Sequence, residues 1–273
     1  MLNSVAFVPG PPALVAELMG SAAHELDDLR QAADDVVSRA VGALLADSDD
    51  SLGPELGPAQ IVVVGPGQPG EFKATGAVSF ASFGRDVTVP PLMEGGQSDR
   101  ELPTPLMVAR HLAGRDVAAH PGHADLWASA RWVTTRGADA AALGKQLCDN
   151  GARIALILVV DGANCHGPKA PRAQDPRASA HDDEVCAALG AGRVDRVAQL
   201  DVDLGFELGA TGPQVWPVLL AASGTSGIGQ RHGAGAERWV GDVLWAGAPY
   251  GVGWAVAAWR RPTTSAPPDF SGN

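Results

Sequence analysis

The chain has 273 residues, with 20 Lys and Arg against 31 Asp and Glu, which gives a formal net charge of −11 at pH 7. Hydrophobic residues make up 45% of the chain and charged residues 19%, a composition that excludes a disordered or fibrous protein. The acidic balance argues against a nucleic-acid or anionic membrane surface as partner, because both require a basic patch. No apolar run approaches the roughly 18–20 residues that span a bilayer.

The first residues of the chain and its cysteines indicate the cellular compartment. The first residues lack a basic cluster and reach Pro9 and Gly10 early, which differs from a signal peptide. The cysteines, Cys148, Cys165 and Cys186, form an odd set without a CxxC spacing, which is typical of a reduced protein. We therefore expect a cytoplasmic protein.

The first part of the chain predicts two buried strands with a helix between them. Leu2–Val8 is an apolar run that stops at the sequence PGPP, as a first strand would. From Ser21 onward, apolar residues recur at steps of three and four, which predicts an amphipathic helix. The acidic segment 47–57 is a predicted linker, and the β-branched run at 61–64 predicts a strand buried on both faces.

The rest of the chain alternates between helical and strand patterns. Residues 72–90 are typical of short strands, and 154–160 is the strongest strand pattern in the sequence. A long loop at 161–177 follows it, and a Gly-rich connection at 223–236 precedes the last two strands. Helices are predicted at 106–112, 138–148, 179–189, 193–200 and 214–222, and the late strands at 240–245 and 252–259.

Apolar strands separated by amphipathic helices predict an α/β fold, with a mainly parallel, doubly wound sheet flanked by helices. We expect a single domain over 1–261 and a loose tail over 262–273. In such folds the carboxyl ends of parallel strands share one edge of the sheet, where ligands bind. The segments 9–12, 65–70 and 161–169 should therefore line a cleft.

Four segments carry a family resemblance, namely VAFVPGPPALV, IVVVGPG, LVVDGANCHGPKAPRAQDPRA and DVLWAGAPYGVGWAVAAW. In order and spacing they resemble segments of the class III extradiol ring-cleavage dioxygenase-like (LigB/MEMO) superfamily, and most closely a bacterial branch that lacks the iron-ligand histidines. The resemblance runs from about residue 2 to 259 and is thinnest across 71–136. KAPRAQDPRA and APYGVGW are its most specific motifs.

The resemblance implies a cleft in which active members hold Fe(II) with two His and one Glu, while a further His acts as acid and base on a catechol. At the two His positions this chain has Gly10 and Gly67, and near the carboxylate position it has Asp242. The acid/base His corresponds to about Asn164, with His166 two residues further on. Glycine has no donor atom, so we expect no iron centre, no ordinary ring cleavage and no bound cofactor.

The loop at 161–177 holds the densest polar cluster of the chain. Lys169 and Arg177 can pair an anionic group, and His166 or Asp161 can transfer protons. Asp175 and Arg177 can equally form a salt-bridge network that locks the loop. The candidate catalytic residues are Asp161, Asn164, His166 and Lys169, and the candidate cleft residues are Gly10, Gly67, Gln68, Asp175, Arg177, Asp242 and Tyr250.

Three of these features have a plain structural interpretation beside the functional one. Gly10 and Gly67 are either anion-binding backbone nests or simple turns, and the turn is favoured. Tyr250 and its neighbouring tryptophans form either an aromatic cleft wall or core and interface packing. His120 and His123, the close His pair, could bind Zn²⁺ together with a carboxylate, but exposed loop histidines are the favoured interpretation.

Three hypotheses of function follow. The first is a degenerate, metal-free homologue that binds a small anionic molecule or a protein partner, a second copy of the chain included, in the cleft. The second is an enzyme with relocated metal-free acid/base chemistry in the 161–177 loop, which requires Lys169 to converge with His166 or a carboxylate. The third is an Fe(II) dioxygenase with non-standard ligands, which requires three of His120, His123, Asp242 and His166 to meet.

Overall fold

The computed structural model describes residues 1–46, 57–224 and 239–262. Most of the predicted linker at 47–57, of the connection at 223–236 and of the tail at 262–273 therefore lies outside the described residues. None of the helices in the described ranges is both long and apolar enough to cross a membrane.

Strands and helices alternate along the described chain. The strands are β1 (Leu2–Val8), β2 (Ala59–Pro66), β3 (Gly70–Phe72), β4 (Val78–Ser79), β5 (Thr88–Val89), β6 (Arg131–Thr135), β7 (Arg153–Val159), β8 (Val240–Gly247) and β9 (Trp254–Arg260). The helices are α1 (Ala16–Met19), α2 (Asp27–Ala46), α3 (Thr104–Ala119), α4 (Ala124–Ala128), α5 (Gly137–Asp149), α6 (Ala178–Gly190), α7 (Val194–Ala198), α8 (Val202–Glu207) and α9 (Gly212–Ala222).

A mostly parallel sheet of seven strands forms the centre of the protein, in the order β3-β6-β2-β7-β1-β9-β8. The four strands β6, β2, β7 and β1 are parallel to one another. The outer strands β3 and β9 run antiparallel to β6 and β1, and β8 runs antiparallel to β9. The predicted α/β architecture with a mainly parallel sheet and flanking helices is confirmed.

Strict alternation of side chains explains why both faces of the central strands are apolar. In β7, Ala155, Ile157 and Val159 belong to the core on one face, together with residues of α2 and α3. Ile154, Leu156 and Leu158 belong to the core on the other face, together with residues of α5, α6 and α9. A strand that is covered on both sides needs continuous Val, Ile and Leu, which is the pattern that the sequence shows at 61–64 and 154–160.

Four elements of the described ranges were not predicted from the sequence, namely the strand β6 and the short helices α1, α4 and α8. The strand β6 has the sequence RWVTT, in which Trp132 and Val133 are the only apolar residues, and it is held in the sheet by pairing with β2 and β3. The helix α8 is only six residues long, and it is capped by Asp201, whose carboxylate accepts the Leu204 N–H. The late strands were predicted correctly, although they form an antiparallel edge rather than part of the parallel core.

The carboxyl ends of β1, β2 and β7 lie at one edge of the sheet, as the topology predicted. A direct contact ties two of the following segments together, since the Gly10 N–H donates to the Asp161 carboxylate over 3.1 Å. Helix α3 also begins here, because the Pro105 Cα lies 3.6 Å from the position that a Gly10 Cβ would take. This edge therefore gathers segments that are about 150 residues apart in the chain.

A buried arginine, Arg110, attaches the segment between β3 and α3 to the core. Arg110 of α3 is completely buried, and its guanidinium donates to the carbonyls of Ala74, Gly76 and Pro90. Burial lowers the pKa of Arg110 to about 10, so the group is still charged at pH 7. Because no strand ladder of the main sheet includes residues 74–90, these three carbonyl contacts are the main polar attachment of that segment to α3.

We expect Arg110→Met to lower the free energy of unfolding by about 2–4 kcal/mol, because three carbonyls lose a charged donor. Arg115→Met on the same helix is the matched control: Arg115 is half exposed and pairs with Asp34, so its loss should cost about 0–1 kcal/mol. Urea unfolding of both variants tests this difference. Equal losses would show that Arg110 does not anchor the segment.

Candidate functional site

A cavity of about 270 Å³ opens at the carboxyl edge of the sheet. Its walls come from the loop that follows β7, one face of α6, the first turn of α9 and the ends of β8 and β9 that face each other. Apolar contact surface is provided by Val185, Leu189, Trp216 and Trp254, and the titratable side chains are Asp161, His166, His181, Asp182, Asp183 and Cys186.

Helix α6 supplies the cavity with one continuous face. His181, Val185 and Leu189 are spaced four residues apart, and Asp182 and Cys186 follow the same spacing one position further on. Residues at this spacing lie on the same side of a helix. The helix begins directly after the 161–177 loop, so its first turn and that loop face the same space.

The shortest polar contact in the cavity joins His166 to Asp182. The His166 Nε2 lies 2.6 Å from the Asp182 Oδ2, and both side chains are more than four-fifths buried. The other carboxylate oxygen of Asp182 accepts the Ala163 N–H over 2.9 Å. Asp182 therefore fixes the imidazole and the loop that carries it at the same time.

Two glycines make room for this carboxylate. A Cβ at Gly253 would lie 1.7 Å from the Asp182 Oδ2, and one at Gly162 would lie 2.6 Å from its Oδ1. Both distances are far below van der Waals contact, so neither position accepts a side chain without moving Asp182. The backbones of 162–163 and 253 are joined by two hydrogen bonds of 2.7 Å, which close the cavity wall.

Asp161 is the second acid/base group of the cavity. Burial raises the pKa of its carboxyl from 3.8 to about 6, although the hydrogen bond from the Gly10 N–H acts in the opposite direction. The backbone N–H of Asp161 donates to the Thr211 hydroxyl over 2.8 Å, which ties the end of β7 to the start of α9. A carboxyl with a pKa near 6 exchanges its proton close to neutral pH.

Cys186 lies in the same cavity but is not a nucleophile at neutral pH. Burial and the nearby carboxylates of Asp182 and Asp183 raise the pKa of its thiol to about 11. A thiol with this pKa is protonated, and only the thiolate attacks readily. His181, Asp182, Asp183 and Cys186 were missed because the pattern at 179–189 indicated only a helix. The signal was present in the triplet HDD, directly after the polar loop.

Of the predicted catalytic residues, the structure brings Asp161 and His166 to the cavity and leaves the other two outside it. Lys169 is exposed and is not part of the cavity wall. Asn164 closes the loop through its backbone, accepting from the Arg172 N–H and donating to the Leu208 carbonyl. The convergence of Lys169 with His166 or a carboxylate, which the second hypothesis required, is not formed.

The predicted cleft residues Asp175 and Arg177 form the loop-locking network instead. The Arg177 guanidinium contacts the Asp175 carboxylate over 2.8 Å and the Glu207 carboxylate of α8 over 2.9 Å. Hydrogen bonds from the Arg177 guanidinium and from the Arg177 backbone N–H lower the pKa of Asp175 to about 2. Because Arg177 already has two carboxylate partners at the surface, its assignment to an anionic ligand is corrected to a structural contact.

Three further cleft assignments are corrected by position. Asp242 lies in the middle of β8, on the face covered by α2, where it contacts the exposed Arg39 over 3.6 Å. The Tyr250 hydroxyl donates to Glu25 over 2.8 Å at the surface. Gln68 is exposed beyond the end of β2, and its carbonyl accepts the Thr134 hydroxyl.

Gly10 and Gly67 are closely packed positions after β1 and β2 rather than anion nests. The Gly10 N–H is already bonded to Asp161, and a Cβ there would lie 2.9 Å from the Val159 Cγ1. Gly67 has a φ of +154°, which side chains rarely adopt, and a Cβ there would lie 3.3 Å from the Thr134 Cβ. The favoured interpretation from the sequence agrees with this geometry.

The residues at this edge do not fit the Fe(II) centre that the resemblance implies for active members. Gly10 and Gly67 provide no ligand atom, and Asp242 is on another part of the sheet. Within the described ranges, three His, Cys, Asp or Glu ligand atoms lie within 4.8 Å of one another in a single group, formed by Asp116, His120 and His123. The ligand set required by the third hypothesis is therefore not assembled.

The charges of the cavity oppose an anionic ligand. Asp161, Asp182 and Asp183 line it together with two histidines, whereas no Lys or Arg of the described residues does. A further carboxylate or phosphate in this space would face like charges with no Lys or Arg of the described residues to offset them. The geometry favours a neutral or cationic molecule with an apolar part against the two tryptophans.

No protein-family model matches the chain, and no curated protein matches its sequence.

We expect Asp161→Asn to stabilise the protein increasingly as the pH rises. In the wild type the folded state binds more protons than the unfolded state between pH 3.8 and 6, so stability falls across this window and the full penalty applies above it. That penalty is about 3 kcal/mol for a shift of this size. The asparagine cannot ionise, and its Oδ1 can still accept the Gly10 N–H.

Urea unfolding of the wild type and of Asp161→Asn at several pH values between 4 and 7 measures this difference. Asp242→Asn is the control, since that carboxylate is mostly exposed and should show no such gain. A difference between the wild type and Asp161→Asn that stays constant with pH would contradict the raised pKa.

Proposed function

We propose that the chain is a LigB-like α/β protein that acts by metal-free acid–base catalysis on a small neutral or cationic molecule. The observation that carries this proposal is the 2.6 Å contact between His166 and Asp182 on a cavity that Asp161 also lines. The proposal replaces the second hypothesis from the sequence, which required Lys169, with acid/base chemistry that His166, Asp182 and Asp161 carry.

In this proposal Asp182 positions and polarises His166. An ionised carboxylate can only accept a hydrogen bond, so the contact assigns the N–H of the neutral imidazole to Nε2. The lone pair on Nδ1 is then left to take a proton from the substrate. The Asp182 carboxylate then stabilises the imidazolium that forms. Asp182 itself keeps its place through the Ala163 N–H.

Asp161 is the complementary group. With a pKa of about 6 it can donate a proton to a substrate atom and regain it without a large change in free energy. One group is a buried carboxyl and the other is a paired imidazole. Because their environments differ, the two groups can take separate acid and base roles in an active site.

The size and surface of the cavity limit the substrate. A volume of about 270 Å³ holds a small metabolite and excludes a folded partner segment. Trp216 and Trp254 offer apolar and aromatic surface, and the three carboxyl groups favour hydrogen-bond donors or a positive charge. The expectation of an anionic ligand is replaced in this proposal, because Lys169 and Arg177 are outside the cavity.

A thermal-shift screen with matched neutral, cationic and anionic metabolites tests the proposal. Compounds that raise the melting temperature are then incubated with the protein in D₂O and followed by NMR for C–H exchange or conversion. We expect neutral or cationic compounds to bind, and His166→Asn to slow their turnover by about 10²–10⁴-fold with little loss of binding. Bound compounds that the wild type leaves unchanged would indicate a binding protein instead.

His24→Asn is the matched control for this experiment. His24 is exposed, its Nδ1 lies 3.0 Å from the Ser21 carbonyl, and it is outside the cavity wall. Its replacement changes the number of histidines without touching the site, so turnover should equal that of the wild type. Turnover that falls equally in both variants would contradict the role of His166.

A further inference from the structure

A second polar cluster lies at the opposite end of the sheet from the cavity. Helix α3 begins beside Gly10 at the carboxyl edge and extends for 16 residues, or about 24 Å, toward the amino ends of the strands. Its last turn carries Asp116, and the chain then forms the short 3₁₀ turn Pro121–His123. The cluster is thus separate from the proposed acid–base site.

We infer that Asp116, His120 and His123 form a binding site for one divalent transition-metal ion of the Zn²⁺ class. Each side chain offers one ligand atom, and the three atoms lie within 4.8 Å of one another. The inference does not depend on the proposed function, because none of the three residues lines the cavity.

The local backbone brings the two imidazoles together. The His120 N–H donates to the Asp116 carbonyl, and the His123 N–H donates to the His120 carbonyl, so HPGH folds back on the end of α3. The two rings are stacked with centroids 5.0 Å apart and an angle of 20° between their planes. Both Nδ1 atoms face the Asp116 carboxylate, at 3.3 Å for His120 and 2.8 Å for His123.

The carboxylate is oriented in advance. Asp116 has a side chain that is 1% exposed, and its Oδ2 accepts the Trp127 indole N–H over 2.7 Å. The Ser38 hydroxyl of α2 donates to its Oδ1 over 2.5 Å. Metal ligands in proteins are typically held by such hydrogen bonds from outside the coordination shell. Displacing the proton of His123 by a metal leaves the Trp127 contact intact.

His120 is the ligand through which a metal ion can reach the site from solvent. Its side chain is half exposed, and its Nδ1 lies 3.3 Å from both the Asp116 Oδ1 and the Ser38 hydroxyl. These contacts are at the long end for hydrogen bonds, so the ring is placed by stacking rather than fixed by a strong bond. An ion arriving from solvent therefore meets one exposed outer ligand and two buried inner ones, with water as the fourth ligand.

The donor set selects the metal. Two imidazole nitrogens and one carboxylate oxygen suit divalent transition metals such as Zn²⁺, Co²⁺ or Fe²⁺, whereas Mg²⁺ and Ca²⁺ prefer oxygen ligands alone. This differs from the expectation from the sequence, in which both histidines were exposed loop residues. His123 is only 8% exposed, and the HPGH turn meets a buried carboxylate from the preceding helix.

Titration of untagged, chelator-treated full-length protein tests the site. Zn²⁺ binding is measured by calorimetry, and Co²⁺ binding by its visible absorption, which reports nitrogen ligands and tetrahedral geometry. We expect one ion per chain, no measurable competition from Mg²⁺, and a weakening of at least about 100-fold in His120→Ala, because loss of an outer hydrogen bond alone costs about 10–100-fold.

Two control variants keep the result interpretable. His24→Ala removes an exposed histidine elsewhere, and His166→Asn removes the cavity histidine; both should bind Zn²⁺ like the wild type. His120 is half exposed, so His120→Ala should keep the wild-type circular dichroism spectrum. Absence of Zn²⁺ binding, binding that survives in His120→Ala, or binding that is lost in His166→Asn would each overturn the inference.

Discussion

The Asp182 carboxylate is the contact on which the carboxyl edge of this protein depends. It joins three segments that are distant in the chain, because it accepts from the loop after β7, holds His166, and occupies the space left by Gly253 between β8 and β9. A partly buried carboxylate is stable only when its oxygens are bonded, and both oxygens of Asp182 are. Together with the two backbone hydrogen bonds between 162–163 and 253, this side chain joins the loop, α6 and the β8–β9 connection around the cavity.

The position of the Asp182 carboxylate explains why both glycines and polar residues occur at this edge of the sheet. Positions 162 and 253 are glycines because a side chain there would displace the Asp182 carboxylate. His166 and Asp182 are each other's polar partner within hydrogen-bond distance. Two cationic side chains of the loop, Lys169 and Arg177, lie outside the cavity. Arg177 binds Asp175 and Glu207 at the surface, which locks the loop outside the cavity and leaves the interior with carboxyl groups and histidines.

Much of the fold could be predicted from the sequence, and the site only in part. Continuous Val, Ile and Leu at 61–64 and 154–160 indicated strands buried on both faces, and the topology then placed Gly10 and Asp161 at one edge. The strand β6 was missed because RWVTT has only two apolar residues and is held in the sheet by its neighbours. Asp182 was missed because its partner His166 lies 16 residues away, across a loop whose shape no local pattern encodes. Asp116 could likewise not be linked to His123, since the helix predicted from the sequence stops at 112.

The central claim is that the cavity holds an acid/base pair in which Asp161 exchanges its proton near neutral pH. NMR titration of the aspartate carboxyl carbons measures this directly, with Asp161→Asn to assign the signal. The account predicts a pKa of about 6 for the Asp161 carboxyl. A pKa near the ordinary value of 3.8 would contradict it, because a fully ionised carboxylate could not serve as the acid opposite His166.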